Sequence, residues 1–65
     1  MTFVKMVEML GESPHSWNDA VHQAVKEASK NVRNITGVEV YNLTAGVESG
    51  RITEYKANVK IAYTD

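Results

Sequence analysis

The sequence predicts a small α+β domain of order β-α-β-β, with one amphipathic helix on one face of a three-stranded antiparallel sheet. Two periodicities carry this reading. Between Trp17 and Val32 apolar residues recur every three or four positions, whereas from Tyr55 to Tyr63 they recur at every second one. The third observation is length: 65 residues hold a single domain, taken as residues 1–65, and bury only a small core.

The first strand is expected over residues 2–10, stopped by Gly11. Val4, Met6 and Leu10 are apolar on one parity, interrupted by Glu8; Phe3, Val7 and Met9 are apolar on the other, with Lys5 among them. A strand apolar on both faces meets a core on one side and a partner on the other. Residues 11–15 read as a turn, and Ser16-Trp17-Asn18-Asp19 as a capping box with Asp in the usual Glu place. Asp19 also sets negative charge at the positive end of the helix dipole. Trp17, Ala20, Val21, Ala24, Val25, Ala28 and Val32 then form the apolar stripe, opposite Asn18, His22, Lys26, Ser29, Lys30 and Arg33. The stripe implies a helix of about 17 to 19 residues, and its alanines allow close approach to the sheet.

The second strand is expected over residues 35–43 and the third over 52–63, joined through residues 44–50 with Gly46, Ser49 and Gly50. In the third, Tyr55, Ala57, Val59, Ile61 and Tyr63 point one way and Lys56, Asn58, Lys60 and Thr64 the other. Val38 and Val40 are the matching core pair of the second strand, which sends Gly37, Glu39 and Tyr41 to the opposite face. One sheet face is left uncovered, carrying Lys5, Glu39, Tyr41, Lys56 and Lys60.

Composition removes other classes. A hydrophobic content of 43% excludes a disordered chain. The net charge is −1 with mixed signs and no basic patch, which gives nucleic-acid binding no electrostatic basis. Apolar runs are too short to span a membrane. No secretion signal is visible at Met1-Thr2-Phe3-Val4-Lys5, so the cytoplasm is the expected compartment. There is no cysteine to staple the fold. A compact monomer of this size buries ~6,300 Å², and if about 60% of that is apolar it contributes roughly 95 kcal/mol. Ordering the chain costs about the same. The near-zero balance makes self-association the remaining source of buried area.

At this point the chain resembles a dodecin over its whole length. The most specific stretch is Gly11-Glu12-Ser13-Pro14-His15-Ser16-Trp17-Asn18-Asp19-Ala20-Val21, similar to the family's Gly-Thr-Ser-x-x-Ser-aromatic-x-x-Ala lead into the helix. Ala28-Ser29-Lys30, Val32-Arg33-Asn34-Ile35, Val38-Glu39-Val40, Gly50 and the closing Val59-Lys60-Ile61-Ala62-Tyr63 also match. The resemblance implies a sheet wrapped around one helix and a hollow homododecamer that binds and stores flavin without catalysis. In the family a Trp on the second strand stacks on the flavin and a Gln on the third reads its ring edge. Those positions fall here on Gly37 and Lys56, and the Arg that some bacterial members use near the ligand's tail falls on Thr44. Gly37 has no stacking surface, and Lys56 has donors but no acceptor.

Two functional readings stand side by side. In one, the assembly binds flavin (riboflavin or FMN), or another phosphate-bearing molecule such as coenzyme A, around Gly37, Glu39, Tyr41, Asn42 and Lys56. In the other it is a structural or ion-binding dodecamer that has lost flavin. Lys56 and Lys60 read either as an anion site or as partners of Glu8, Glu39 or Glu54 between subunits. Tyr41 is either a replacement stack or a filler between subunits, and Lys5, Glu8 and Lys60 are expected at oligomer contacts. Trp17 reads as core. His15 and His22 lack metal-site spacing, so no dedicated metal site is expected. No catalytic set is visible, which argues against an enzyme.

Overall fold

Pairing with the last strand organises the molecule. The computed structural model describes residues 3–64, so Thr2, expected to open the first strand, lies outside the described residues. The elements are β1 (Val4–Ser13), α1 (Trp17–Ala28), β2 (Ile35–Glu48) and β3 (Arg51–Thr64). They form one three-stranded sheet of order β1-β3-β2, antiparallel at both ladders. This is the expected β-α-β-β arrangement. The helix rests on β1 and β3 and barely reaches β2.

The boundaries differ from the expected ones for physical reasons. β1 does not stop at Gly11 but runs through it to Ser13, with Gly11 opposite Ala57. A Cβ on Gly11 would lie 2.0 Å from the Ala20 carbonyl oxygen and 3.0 Å from the Ala24 Cβ. The glycine therefore lets the helix backbone lie on the strand rather than ending it. At the helix start Ser16 caps as expected, its hydroxyl accepting from the Asp19 N–H at 2.9 Å. The helix is 12 residues long, shorter than the stripe implied. The N–H groups of Lys30 and Asn31 turn to the Glu27 and Ala28 carbonyls at 3.2 and 3.1 Å, which tightens the chain out of α-helix. Asn34 then takes a left-handed φ of 57° on the way into β2.

β2 and β3 form a hairpin longer than the sequence suggested. Thr44 to Glu48, read as a loop, pairs with Lys56 to Arg51. Only Ser49 and Gly50 turn, with φ of 51° and 75°, the double left-handed geometry that matches strand twist in tight hairpins. The projecting hairpin stretches the subunit to 52 × 20 × 13 Å. Its radius of gyration is 13.3 Å, against ~10.7 Å for a compact chain of this length.

The core is small: Ala20, Ala24 and Ala28 of α1 against Ala57, Val59 and Ile61 of β3, bordered by Val7, Met9, Val21, Val25 and Ile35. Val38 and Val40 share the helix side with Ile61 and Val59, opposite which they pair, yet each is 42% exposed. The expected core pair is thus correct in direction but not buried, because α1 does not extend over β2.

Candidate ligand-binding face

Residues directly opposite on antiparallel strands share a face, so the register defines the surface that the helix leaves bare. Its rows across β1, β3 and β2 are Met6-Ala62-Gly37, Glu8-Lys60-Glu39, Leu10-Asn58-Asn42 and Glu12-Lys56-Thr44. Gly37, Glu39, Lys56 and Lys60 lie where alternation put them. Lys5 does not: it stands opposite Tyr63, on the helix side with Val7 and Met9. The two-sided apolar pattern of β1 obscured which parity the helix would cover.

The ladder slips between Val40 and Asn42, leaving Tyr41 as the extra residue of a bulge. Beyond it the parity of β2 inverts, so Asn42 joins the bare face and Leu43 turns to the helix side opposite Ala57. Tyr41 also sits on the bare face, with the Lys60 ammonium 5.4 Å from its ring centroid. The bulge therefore brings Tyr41 and Asn42, adjacent in sequence, to one side of the sheet. Asn58, expected on this face from the alternation of β3, stands directly opposite Asn42. Its only sequence signal was its position between Lys56 and Lys60.

Lys56 pairs within its own subunit, 3.6 Å from Glu54, both side chains being only partly buried. Such a pair contributes little to stability. Gly37 has open surroundings: a Cβ there would meet only the Ala62 Cβ, at 4.0 Å. Gly37 is opposite Ala62 and Lys56 opposite Thr44, which separates the two positions by six strand residues, ~20 Å. One subunit does not bring them together, so a site using both takes them from different subunits. Concavities lie beside Arg33 and Tyr63 and in the groove between α1 and β1, whose edge includes Leu10 and Glu12. Among the described residues no group of three or more His, Asp or Glu is placed to hold a metal ion. Nor is any helix of the described residues long and apolar enough to cross a membrane.

Two contacts fix the hairpin relative to the helix. Trp17 is not core as read from its periodicity; it is 37% exposed at the rim. Its indole N–H donates to the Thr44 carbonyl at 2.7 Å, and its ring meets Tyr55 edge-on at 4.8 Å. This pins the far half of β2, beyond the bulge, to the helix N-terminus. Beneath it the buried Ser13 hydroxyl donates to Asp19 at 2.6 Å and accepts from the His15 N–H at 2.9 Å. The Ser13 hydrogen bond, opposed next by desolvation and helped by lesser contributions from Gln23 and the two histidines, holds the Asp19 carboxyl below its usual 3.8.

The dodecin family model matches residues 3–65. The chain belongs to the dodecin family. The calcium dodecin of Mycobacterium tuberculosis is 31% identical over 64 residues, covering 97% of this chain and 89% of that protein. Among solved structures, dodecin from Streptomyces coelicolor superposes with a TM-score of 0.94 at 25% identity, over 98% of this chain and 91% of that one. The crystal structure of the M. tuberculosis calcium dodecin, with a calcium-binding site described as novel, has a TM-score of 0.84 at 28% identity over 97% and 90% of the two chains. The dodecin fold thus accounts for the whole described chain, including the long hairpin and the single helix.

Proposed function

We propose that this dodecin-family chain is a non-catalytic subunit of a homo-oligomeric binding and storage shell of twelve copies. In this reading a flavin or related nucleotide-type molecule is held where subunits meet. One observation carries the proposal: the subunit buries less than it leaves open. Among the described residues six apolar ones are buried, three on α1 and three on β3, all of them Ala, Val or Ile. Eleven large ones of the described residues, among them Phe3, Met6, Leu10, Tyr41, Val47 and Ile52, are exposed. Such a surface is normally covered by a partner, and further copies of the chain are always at hand. The ~20 Å between Gly37 and Lys56 supports a ligand site shared between subunits.

Without a Trp at Gly37 each flavin lacks a stack worth ~1–3 kcal/mol, so binding is weak or uses Tyr41 instead. Titrating riboflavin and FMN with a known subunit concentration tests this, because stacked flavins lose fluorescence. Quenching that saturates near one flavin per subunit supports the reading.

A second reading, ion binding, is favoured by the 31% identical relative named calcium dodecin and by Glu8, Glu12 and Glu39 on the bare face. Calcium takes ~6–8 oxygen ligands, which several subunits would have to share. Calorimetric calcium uptake by protein that leaves flavin fluorescence unchanged favours this second reading.

A further inference from the structure

We propose that Asn42 and Asn58 form a paired carboxamide that reads the edge of a planar heteroaromatic ligand, with Tyr41 as the ring it packs on and Lys60 as the adjacent cation. The ligand class is a ring with hydrogen-bond donor and acceptor side by side on one edge, as in an imide or a nucleobase. This rests on the reading of the bare face as ligand-bearing and names which residues of that face do the recognising.

The argument starts at the bulge. In a regular strand Tyr41 and Asn42 would face opposite ways; the slip at Tyr41 puts both on the bare face. The same slip aligns Asn42 with Asn58. Directly opposed residues have Cβ atoms ~5 Å apart, so the two carboxamides reach the same ligand edge. Each supplies one acceptor and a two-proton donor. Neither side chain is hydrogen-bonded within the described residues. Two residues along β3, Lys60 is on the same face, ~7 Å from Asn58. Its ammonium lies over Tyr41 and can turn on its flexible stem to an acceptor on the ligand. Lys56, further along and already paired with Glu54, presents no acceptor. The carboxamides are therefore the groups on this face that match a donor-acceptor edge from both sides.

The test titrates the assembled protein with riboflavin and with N3-methylriboflavin, whose edge lacks the imide N–H, followed by fluorescence and size-exclusion chromatography. Wild type is expected to prefer riboflavin by about tenfold, the size of one or two hydrogen bonds. Asn58→Leu is expected to weaken riboflavin binding by about tenfold and to abolish the preference, leaving the methylated ligand unchanged. Asn58→Ala, which removes donor and acceptor alike without adding bulk, serves where the Leu variant does not assemble. Unchanged affinity and preference in an assembled variant overturn the amide proposal while flavin binding stands. Loss of assembly in both variants also overturns it, by assigning the amides to subunit contacts. A wild type that quenches neither flavin overturns the flavin reading itself, and the amide proposal with it.

Discussion

Gly11 is where a single methyl group tests the packing of the helix on the sheet. In Gly11→Ala the new Cβ would sit 2.0 Å from the Ala20 carbonyl oxygen and 3.0 Å from its carbon. Ordinary contact is ~3.5 Å or more, so the helix must retreat by about 1.5 Å. The opposing atoms are backbone, and no rotamer change relieves them. Retreat also pulls Ala20, Ala24 and Ala28 away from Val59 and Ile61, which together with Ala57 form the buried core of the described residues. Overpacking costs ~1–3 kcal/mol and occasionally more; with backbone as the obstacle the upper end, about 3 kcal/mol, is expected. At ~4–8 °C per kcal/mol for a domain of this size, the melting temperature should fall by roughly 12–24 °C. The assay is thermal unfolding by circular dichroism at one fixed subunit concentration, because association raises apparent stability. Gly37→Ala is the control: its Cβ meets only the Ala62 Cβ at 4.0 Å, and it should be neutral or slightly stabilising, by up to ~1 kcal/mol. A Gly11→Ala melting temperature within a few degrees of wild type would refute the close helix-strand contact.

Further outcomes follow from the same geometry. The double change Gly37→Trp and Lys56→Gln should tighten riboflavin binding about ten- to hundredfold, from ~1–3 kcal/mol per stacked ring; an assembled variant with no gain by fluorescence titration rejects the assignment of these positions to a flavin site. Trp17→Phe keeps the edge contact with Tyr55 but removes the 2.7 Å bond to the Thr44 carbonyl. It should cost about 1 kcal/mol or less in urea denaturation, with faster amide exchange around Thr44. The Asp19 carboxyl titrates below its usual 3.8 in the folded chain, chiefly through Ser13. Its contribution to stability is therefore present above the unfolded value and lost as pH falls through the folded one, in acid below about pH 4. Ser13→Ala should raise the Asp19 midpoint, followed by carboxyl NMR, and flatten that acid loss; an unmoved midpoint would show that Ser13 is not the cause.

What the sequence determined by itself is local. A spacing of three and four places Ala20, Ala24 and Ala28 on one side of a helix, and Ser16 with Asp19 marks its start, because these depend on residues within one or two turns. Strict alternation in β3 likewise separates Ala57, Val59 and Ile61 from Lys56, Asn58 and Lys60. The tertiary structure decided what depends on a distant partner. Thr44 to Glu48 has turn-like composition yet is strand, because β3 extends to meet it. Val38 and Val40 face the helix side but stay exposed because α1 ends its reach at β3. The bulge at Tyr41 appears in no local pattern, since a slip is a property of two strands and not of one. That slip inverts the parity of everything after it, and so it alone gathers Tyr41, Asn42, Asn58 and Lys60 on one face.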